Sequence, residues 1–324
     1  MNLPMTKNQH ERIALIVNPR SGGGRTAKKL ARIQTLADQW FERWEVFVTE
    51  GPRHAEKLAS EAKDKGFDIV ASVGGDGTAS EVINGLIPQW TEEPSGVVFT
   101  VIPAGTGSDL IKTIGIPTDM ELALQVAAHG ETRLSDVYDI EMTDELTGDS
   151  LRRSCINMAG FCSNGDVVAR VNRGSKRLGG RLTFLKASLE TALFYKAPVV
   201  KVRWIDTHGE SGEMQAPILS AFLANGQYGG GGMWIGPTSS MQDGLMTCLI
   251  IPPLNPLGLL SSVRKFYQGT VGTIEGAIEK QIISLCADSD CEDPVRIDVD
   301  GEQPGILPAK FRVMPKVQAV RGLW

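Results

Sequence analysis

Short apolar runs alternate with amphipathic segments in the first half of the chain. The runs that have the length of buried strands span residues 13–17, 44–48, 69–73 and 97–102. Apolar residues repeat at helical spacing in the segments 25–40, 55–65, 80–86, 109–114 and 119–128. This alternation predicts a parallel sheet with helices on both faces, in which ligands bind at the carboxyl ends of the strands.

The pattern changes after about residue 137, where predicted strands follow one another directly. They span residues 136–142, 153–159, 199–205, 218–224, 245–250, 282–287 and 295–299. Two amphipathic helices, at 182–195 and 256–268, interrupt them. Consecutive strands separated by turn signals indicate an antiparallel sandwich or barrel.

Length and composition narrow the class of protein. With 324 residues, the chain is long enough for two domains, and 42% hydrophobic and 22% charged residues are ordinary for a globular protein. A net charge of −5 argues against a nucleic-acid partner. No secretory leader or long apolar run is visible, and the five scattered cysteines favour free thiols over a Cys286–Cys291 disulfide. We therefore expect a cytoplasmic protein.

Three glycine-containing loops each follow a predicted strand, at residues 18–25, 72–81 and 102–109. Glycine allows positive φ and has no Cβ to keep a ligand from the backbone. Amides at the start of a following helix favour an anion, and phosphate is the first candidate. A single such loop would be explained equally well as a tight turn, but three at one sheet edge predict a phosphate site.

These loops resemble the diacylglycerol-kinase-type catalytic domain, which bacterial lipid kinases share with sphingosine and ceramide kinases. The matching elements are Asn-Pro-x-Ser-Gly at 18–22, Gly-Gly-Asp-Gly-Thr at 74–78 and Pro-x-Gly-Thr-x-Asn-Asp at 103–109. Ser108 stands where the last element usually has Asn. The Gly-Gly-Asp-Gly element alone also occurs in NAD kinases and phosphofructokinases. The resemblance extends from about residue 13 to the end of the chain.

The resemblance implies a two-domain fold with its active site in the cleft between the domains. An α/β nucleotide-binding domain, with a parallel sheet and flanking helices, would span residues 10–137. An antiparallel β-sandwich domain for the lipid substrate would span 138–310. Whether residues 311–324 return to the first domain is left open by the sequence.

Phosphoryl transfer to a hydroxyl needs positioned phosphates, Mg²⁺ and a carboxylate near the attacking group. The expected ATP contacts are Asn18, Thr49, Gly74, Gly75, Asp76, Gly77, Thr78, Glu81, Gly105, Thr106 and Asp109. Asp76 and Asp109 are also candidate partners of Mg²⁺ and its waters. Helix capping is the competing interpretation, and it is weaker for Asp76 because glycines flank that residue.

An Asp-Gly-Glu element lies near the C-terminus, after Asp298. Taken alone, it would be a β-turn with solvated acids. The resemblance instead assigns Glu302 as the general base on the lipid hydroxyl. It also assigns Asp136 as an aspartate connected to that base through hydrogen bonds, so Glu302, Asp136 and Asp76 form the expected catalytic set.

A further match implies a structural Mg²⁺ held by Asp243 and by the carbonyls of Ser240 and Leu245. An Asp-Gly turn without a metal explains this stretch equally well. Lys176 matches a basic residue that some relatives place near the active site, although a solvated lysine is at least as good an explanation.

Three functions compete at this point. An ATP-dependent lipid kinase is favoured over a soluble-substrate kinase of the NAD kinase and phosphofructokinase superfamily, and over a lipid-binding protein without catalysis. The favoured function predicts transient contact with a membrane. Its candidate residues are Met233, Trp234, Lys176, Arg177 and Arg181. Trp234 is equally acceptable as a core residue, and a homodimer is left open.

Overall fold

The computed structural model describes residues 3–104, 108–173 and 195–324. The chain forms two compact units, which we call unit 1 (Met1–Ser135 with Lys316–Trp324) and unit 2 (Asp136–Pro315). Several predicted features lie outside the described residues. They are the helix at 182–195 except for its last residue, together with Gly105, Thr106, Lys176, Arg177 and Arg181.

Unit 1 is built on a parallel ladder. Its strands are β1 (Asn8–Val17), β2 (Phe41–Val48), β3 (Ile69–Gly74) and β4 (Val98–Pro103). They pair in the order β2-β1-β3-β4. On the far side of β4, Ala319 pairs with Val98 and Val320 with Phe99, again in parallel. Residues near the end of the chain therefore complete this sheet.

Helices connect the strands of unit 1. They are α1 (Ser21–Gly24), α2 (Leu30–Trp40), α3 (His54–Asp64), α4 (Asp76–Leu86), α5 (Leu110–Thr113) and α6 (Met120–His129), with a 3₁₀ turn at Ala27–Lys29. One of these helices, α2, starts later than predicted, and another, α4, starts earlier. The helix predicted from residue 25 begins at Leu30, because left-handed Gly22 and Gly23 and the 3₁₀ turn precede it. The helix predicted from residue 80 begins at Asp76, so the glycine loop is itself the first helical turn.

Unit 2 is mainly antiparallel. Its elements are β5 (Glu131–Thr143, which begins in unit 1), β6 (Ser150–Cys155), β7 (Met158–Cys162), α7 (Ser163–Arg173), β8 (Val199–Asp206), β9 (Ser211–Pro217), β10 (Ser220–Ala224), β11 (Tyr228–Gly229), β12 (Met233–Trp234), β13 (Met246–Ile251), α8 (Pro256–Gln268), a 3₁₀ turn (Val271–Thr273), β14 (Ile278–Asp288), β15 (Arg296–Val299) and β16 (Glu302–Gly322, which ends in unit 1). The strands β15, β7, β10, β13 and β14 pair in that order, and β16 pairs with both ends of the series. The pairings thus form a closed circuit around a core that includes Phe161, Leu223 and Phe311.

The strand predicted at 153–159 is two strands, which is a correction. Ile156 and Asn157 separate β6 from β7, and their amides bond to the carboxylate of Asp300 instead of to a neighbouring strand. β9, β11, β12, β16 and α7 had not been predicted. β9 alternates exposed and half-buried positions, so its apolar pattern is weak.

Two further findings concern the whole chain. All five cysteines are free thiols, as the composition favoured. Within the three described stretches, no helix has both the length and the apolar character that crossing a bilayer requires.

Candidate functional site

The three glycine-containing loops of unit 1 meet at the carboxyl ends of β1, β3 and β4. The Asn18 side-chain amide donates to Thr78 Oγ1 at 3.1 Å, which joins the first loop to the second. The Ala104 amide donates to the Gly74 carbonyl at 3.1 Å, which joins the third loop to the second. Buried Thr26 donates to the Ala104 carbonyl at 3.3 Å and links the first loop to the third. The loops therefore form one cluster.

The glycines of the second loop serve close packing rather than left-handed backbone. Gly75 has φ −116° and Gly77 lies inside α4, so neither glycine uses the positive φ that the residue type allows. A Cβ on Gly74 would lie 2.4 Å from Thr78 Oγ1 and 2.9 Å from Ser21 Oγ. Because no side chain fits at Gly74, the start of α4 sits directly against the first loop. The amides of the first helical turn then form a site that favours an anion.

Asp76 ties the second loop to the third. Its Oδ1 accepts hydrogen bonds from Ser108 Oγ at 3.0 Å and from the Asp109 amide at 3.1 Å, and a longer one from the Leu110 amide. Burial, followed by the charge of Asp109, raises the pKa of Asp76 to about 6. Ser108, the one departure from the usual motif, thus still supplies a side-chain donor to Asp76.

Asp109 makes no side-chain capping bond, and its contact with a metal stays a prediction. It occupies the N-cap position of α5, and one of its oxygens pairs with Lys112 Nζ at 2.6 Å. A second carboxylate close to Asp76 fits a hard divalent cation, since Mg²⁺ prefers oxygen ligands. Across the described residues, no group of three or more His, Cys, Asp or Glu could hold a metal. Mg²⁺ at Asp76 and Asp109 would accordingly depend on phosphate and water oxygens as well.

Glu81 and Thr49, two other expected nucleotide contacts, have structural partners. The carboxylate of Glu81 accepts from the amides of Arg53 at 2.9 Å and Ala55 at 3.1 Å, which stabilises the start of α3. Thr49 is buried, and its amide donates to the Val17 carbonyl. A nucleotide contact by either residue stays a prediction.

In unit 2, Glu302 is presented by a tight hairpin. Asp300 and Gly301 both have positive φ, 49° and 84°, and Val299 pairs with Glu302 across them. Two consecutive left-handed residues are typical of a type I′ turn, for which Asp-Gly is a preferred pair. The Glu302 side chain is exposed. The tight turn thus carries an exposed carboxylate at its end.

Asp300 is buried and Asp298 is partly buried, which corrects the interpretation of this stretch as a turn with solvated acids. Asp300 is only 5% exposed and accepts from the amides of Ile156, Asn157 and Met158 at 2.9–3.0 Å. Burial outweighs these bonds and raises the pKa of Asp300. Burial likewise raises the pKa of Asp298 well above its ordinary value, although the Gly301 amide donates to it.

A hydrogen-bonded path connects Asp136 to the hairpin of Glu302. The side-chain amide of Asn225 donates to the carbonyls of Asp136 at 2.8 Å and Ile156 at 2.6 Å. The Ile156 amide in turn donates to Asp300, two residues before Glu302. The carboxylate of Asp136 itself accepts from the Gly244 amide at 2.7 Å. Asp136 thus positions the Asp243-Gly244 turn with its side chain and Asn225 with its carbonyl.

The predicted structural metal site has suitable donors. Asp243 is exposed, and its Oδ1 accepts from the Leu245 amide at 2.9 Å. The Leu245 carbonyl receives a long 3.3 Å bond from Tyr138, whose shorter 2.7 Å bond goes to Ala224. Together with the Ser240 carbonyl, these oxygens would be ligands of the type that Mg²⁺ prefers, and the metal site stays a prediction.

The predicted membrane contact at β12 is not supported. Met233 is only 9% exposed, and Trp234 is half-buried and stacks on Tyr228 with ring centroids 5.9 Å apart. Trp234 also lies against Gly269, where a Cβ would be 2.5 Å from its ring. Trp234 therefore takes the core role that the sequence left as an alternative.

Sequence reasoning missed several residues that position the candidate groups within each unit. They are Thr26, Tyr138, Asn225 and Asp300 as positioning groups, and Ser108 as a partner of Asp76. The Asp-Gly pair between two strands was a signal for the hairpin at Asp300. A single Thr, Tyr or Asn carries no comparable signal, because its partner is distant in sequence.

Two family models together cover most of the chain. Residues 12–140 match the diacylglycerol kinase catalytic domain. Residues 159–321, half of the chain, match the YegS C-terminal NAD kinase beta sandwich-like domain.

Individual relatives agree over nearly the full length. The chain is 26% identical to a diacylglycerol kinase of Bacillus subtilis, over 95% of this chain and 98% of that protein. It is 24% identical to a probable lipid kinase YegS-like of Stenotrophomonas maltophilia, over 83% and 82% of the two chains. A crystal structure of a diacylglycerol kinase from Bacillus anthracis has the same fold, with a TM-score of 0.73 and 21% identity over 96% and 97% of the two chains.

Proposed function

Because this chain belongs to the diacylglycerol kinase and YegS family of lipid kinases and is a phosphotransferase, we propose that it transfers the γ-phosphate of ATP to the hydroxyl of a membrane lipid. The proposal rests on one observation in unit 1. Three loops that follow different strands are hydrogen-bonded to one another around the first turn of α4. Asn18 donates to Thr78, and the Ala104 amide donates to the Gly74 carbonyl. Such a cluster of amides at a helix N-terminus suits a chain of phosphates.

In this mechanism, the residues of the chain supply positioning and proton transfer. The first turn of α4 holds the phosphates, with Asn18 fixing Thr78 beside them. Asp76 keeps the third loop in place through the amides of Asp109 and Leu110. When bound, Mg²⁺ spreads the charge that develops on the transferred phosphoryl group.

Glu302 is the proposed general base. Its exposed carboxylate would accept the proton of the lipid hydroxyl as that oxygen attacks the γ-phosphorus. The hairpin before it is held at Asp300 by three amides, so the base is presented from a fixed backbone. A fixed base loses little entropy on reaching the attacking geometry.

A lipid panel tests the proposal directly. The purified protein is incubated with labelled ATP and mixed micelles that contain diacylglycerol, phosphatidylglycerol, a sphingoid base or a prenol. Soluble acceptors, NAD and a sugar phosphate, are tested in parallel. Label should appear in a lipid product and depend on Mg²⁺.

The variant Glu302→Gln keeps the shape of the side chain and removes the proton acceptor. On the lipid that the panel identifies, we expect its turnover to fall by about 10²- to 10⁴-fold, the usual effect of losing a general base. Glu292→Gln, at another exposed glutamate, is the control and should be as active as the unmodified protein. Near-normal turnover of Glu302→Gln would exclude Glu302 as the base.

A second candidate is a kinase for a soluble acceptor. It is favoured by the second family model, whose description likens the β-rich domain to that of NAD kinases. Phosphorylation of NAD or of a sugar phosphate, with no activity on any micellar lipid, would select this candidate.

A further inference from the structure

The α8 helix (Pro256–Gln268) carries apolar side chains on its solvent-facing side. Leu257 is 80% exposed and Leu260 66% exposed, and Tyr267 is exposed to 37%. At 100° per residue, positions 257, 260, 264 and 267 fall within a sector of about 80°. Arg264 is thus the cationic member of this stripe, which we call the α8 stripe (Leu257, Leu260, Arg264 and Tyr267).

The opposite side of α8 packs against the rest of unit 2, and both ends of the helix are capped. Leu259 and Ser262 are buried, and Phe266 packs edge-on against Phe222 with ring centroids 5.7 Å apart. Asn255 caps the first turn by accepting from the Gly258 amide at 2.8 Å. At the other end, Gly269 closes the helix in the left-handed conformation. The fold therefore does not need the exposed leucines.

Along the sequence, the segment that contains α8 carries charges of one sign, although Glu279 of β14 lies beside Gly272 in the following 3₁₀ turn. From residue 244 to residue 274 the sequence contains no Asp or Glu, whereas the whole chain has a net charge of −5. The charged residues of that segment are Arg264 and Lys265. The Lys265 ammonium donates to the Thr273 carbonyl at 2.6 Å. An apolar stripe within a locally cationic segment complements a bilayer, whose acyl chains are apolar and whose headgroups can be anionic.

We propose that the α8 stripe docks the protein onto a bilayer that contains anionic lipid. The helix would lie in the plane of the interface, with Leu257 and Leu260 among the acyl chains, Tyr267 at headgroup level and Arg264 against anionic headgroups. This inference rests on the proposed function in so far as a lipid kinase must reach a substrate within the membrane. Scattered exposed leucines are common on protein surfaces, whereas exposed leucines and an arginine on one stripe mark an interaction surface.

Vesicle binding tests the stripe independently of catalysis. Sedimentation with vesicles of 3:1 phosphatidylcholine and phosphatidylglycerol measures partitioning of the full chain. The double variant Leu257→Gln/Leu260→Gln should bind about tenfold more weakly or worse, since two leucines no longer leave water. The matched control is Leu146→Gln, because Leu146 is 95% exposed in the same unit and should not contribute.

The charge of the stripe has its own readout. Arg264→Gln should weaken binding to the anionic vesicles about fivefold and leave binding to pure phosphatidylcholine vesicles unchanged, because one basic residue near an anionic surface contributes about 1 kcal/mol. Arg32→Gln, at an exposed arginine on α2, is the control. Amide hydrogen exchange across residues 256–268 should also slow when the anionic vesicles are added.

Each outcome decides between the stripe and its alternatives. Equal partitioning of the double variant and the unmodified protein, or unchanged exchange in α8, would overturn the proposal. A lipid-free dimer in sedimentation velocity that the double variant abolishes would instead assign the stripe to a second copy of the chain. If the lipid panel fails while the stripe still binds vesicles, the proposed function is wrong and the docking surface is retained.

Discussion

The Asp76 carboxyl has two partly opposed roles. Its oxygens hold the start of α5 through the amides of Asp109 and Leu110, and they are also proposed to meet Mg²⁺. The first role favours the charged form, whereas burial and the charge of Asp109 disfavour it. A bound cation would offset that cost, because it is an opposite charge beside two carboxylates.

The raised pKa of Asp76 makes stability depend on pH in a defined direction. The folded protein keeps a proton on this carboxyl up to about pH 6, whereas the unfolded chain releases it near pH 3.8. The folded state therefore binds more protons within that interval, and the free energy of unfolding falls as pH rises through it. In metal-free buffer, Asp76→Asn should remove this contribution, which is at most about 3 kcal/mol.

Urea unfolding between about pH 4 and 7 measures this effect. Asp64→Asn, at an exposed carboxyl on α3, serves as the control and should follow the unmodified protein. If Asp76→Asn loses stability with rising pH as steeply as the unmodified protein, another carboxyl carries the dependence.

Asp243 provides a test of the structural Mg²⁺. A ligand that binds only the folded state stabilises it, by about 2.7 kcal/mol when it is present at 100 times its dissociation constant. Mg²⁺ without nucleotide should therefore raise Tm, and Asp243→Ala should abolish the rise. Asp206→Ala is the control, because Asp206 also accepts amides in a turn and has no proposed metal. A similar rise in Asp243→Ala would remove Asp243 from the site.

At the scale of single residues, the sequence identifies the residues with a chemical role better than it identifies the partners that hold them in place. Asp76 and Glu302 lie in motifs whose order and spacing are informative. The partners that hold them, such as Ser108 and Asn225, are distant in sequence and chemically ordinary. Their roles depend on which strands become neighbours, which a local pattern does not encode.

At the scale of secondary-structure elements, the packing of α3 against α4 explains why Gly85 lies in the interior of a helix. A Cβ on Gly85 would lie 2.1 Å from the Glu56 carbonyl oxygen, so the absence of a side chain allows α4 to cross close to α3. Gly258 in α8 is different, because a Cβ there would meet its nearest atom at an ordinary 3.4 Å.

These two glycines should respond to alanine with opposite signs. Gly85→Ala should destabilise the protein by about 1–3 kcal/mol, since overpacking outweighs the gain in helix propensity. Gly258→Ala should stabilise it by about 0.5–1 kcal/mol, because only the propensity changes. Chemical denaturation measures both, and a neutral Gly85→Ala would mean that α3 and α4 can separate at no cost.

The predicted bounds of helices and strands differ from the observed ones where contacts with distant parts of the chain determine the local structure. The helix at 256–268 was predicted with its observed bounds, because Asn255, Pro256 and Gly269 are local start and stop signals. The strand at 153–159 was wrong as a single strand, because a carboxylate from residue 300 takes the amides in its middle. No signal within seven residues could have indicated a partner so far along the chain.

For the whole molecule, Arg321 fastens the last strand to unit 1. Its guanidinium pairs with both carboxylate oxygens of Glu11 at 2.7 Å and donates to the Ala127 carbonyl and to Thr132. Burial works against the charge of Glu11, but the hydrogen bonds and charge of Arg321 outweigh it and lower the pKa of Glu11. This contribution is present above the ordinary pKa of Glu11 and is lost as pH falls through the lowered one.

Breaking this pair should be costly. Arg321→Gln leaves the carboxylate of Glu11 without its cation. Losing one partner of a fully buried pair typically costs about 3–5 kcal/mol, and we expect a smaller loss here because Glu11 is 30% exposed and keeps the donor Asn8. Arg133→Gln, which breaks the exposed pair with Glu131, should cost much less, because water screens exposed charges. Thermal and urea unfolding measure both variants, and equal effects would mean that Arg321 contributes no more than a surface charge.

The return of the last strand to unit 1 has a consequence for synthesis on the ribosome. Unit 2 is a single continuous segment, Asp136–Pro315, so all of its residues have been made before the strand that pairs with Val98 and Phe99. Until Ala319 and Val320 leave the ribosome, β4 of the nascent chain has an unpaired edge. Such an edge can form hydrogen bonds with the wrong segment or with another chain. We therefore expect the part of the chain made first to finish folding last, and chaperones that shield strand edges to matter most in that interval.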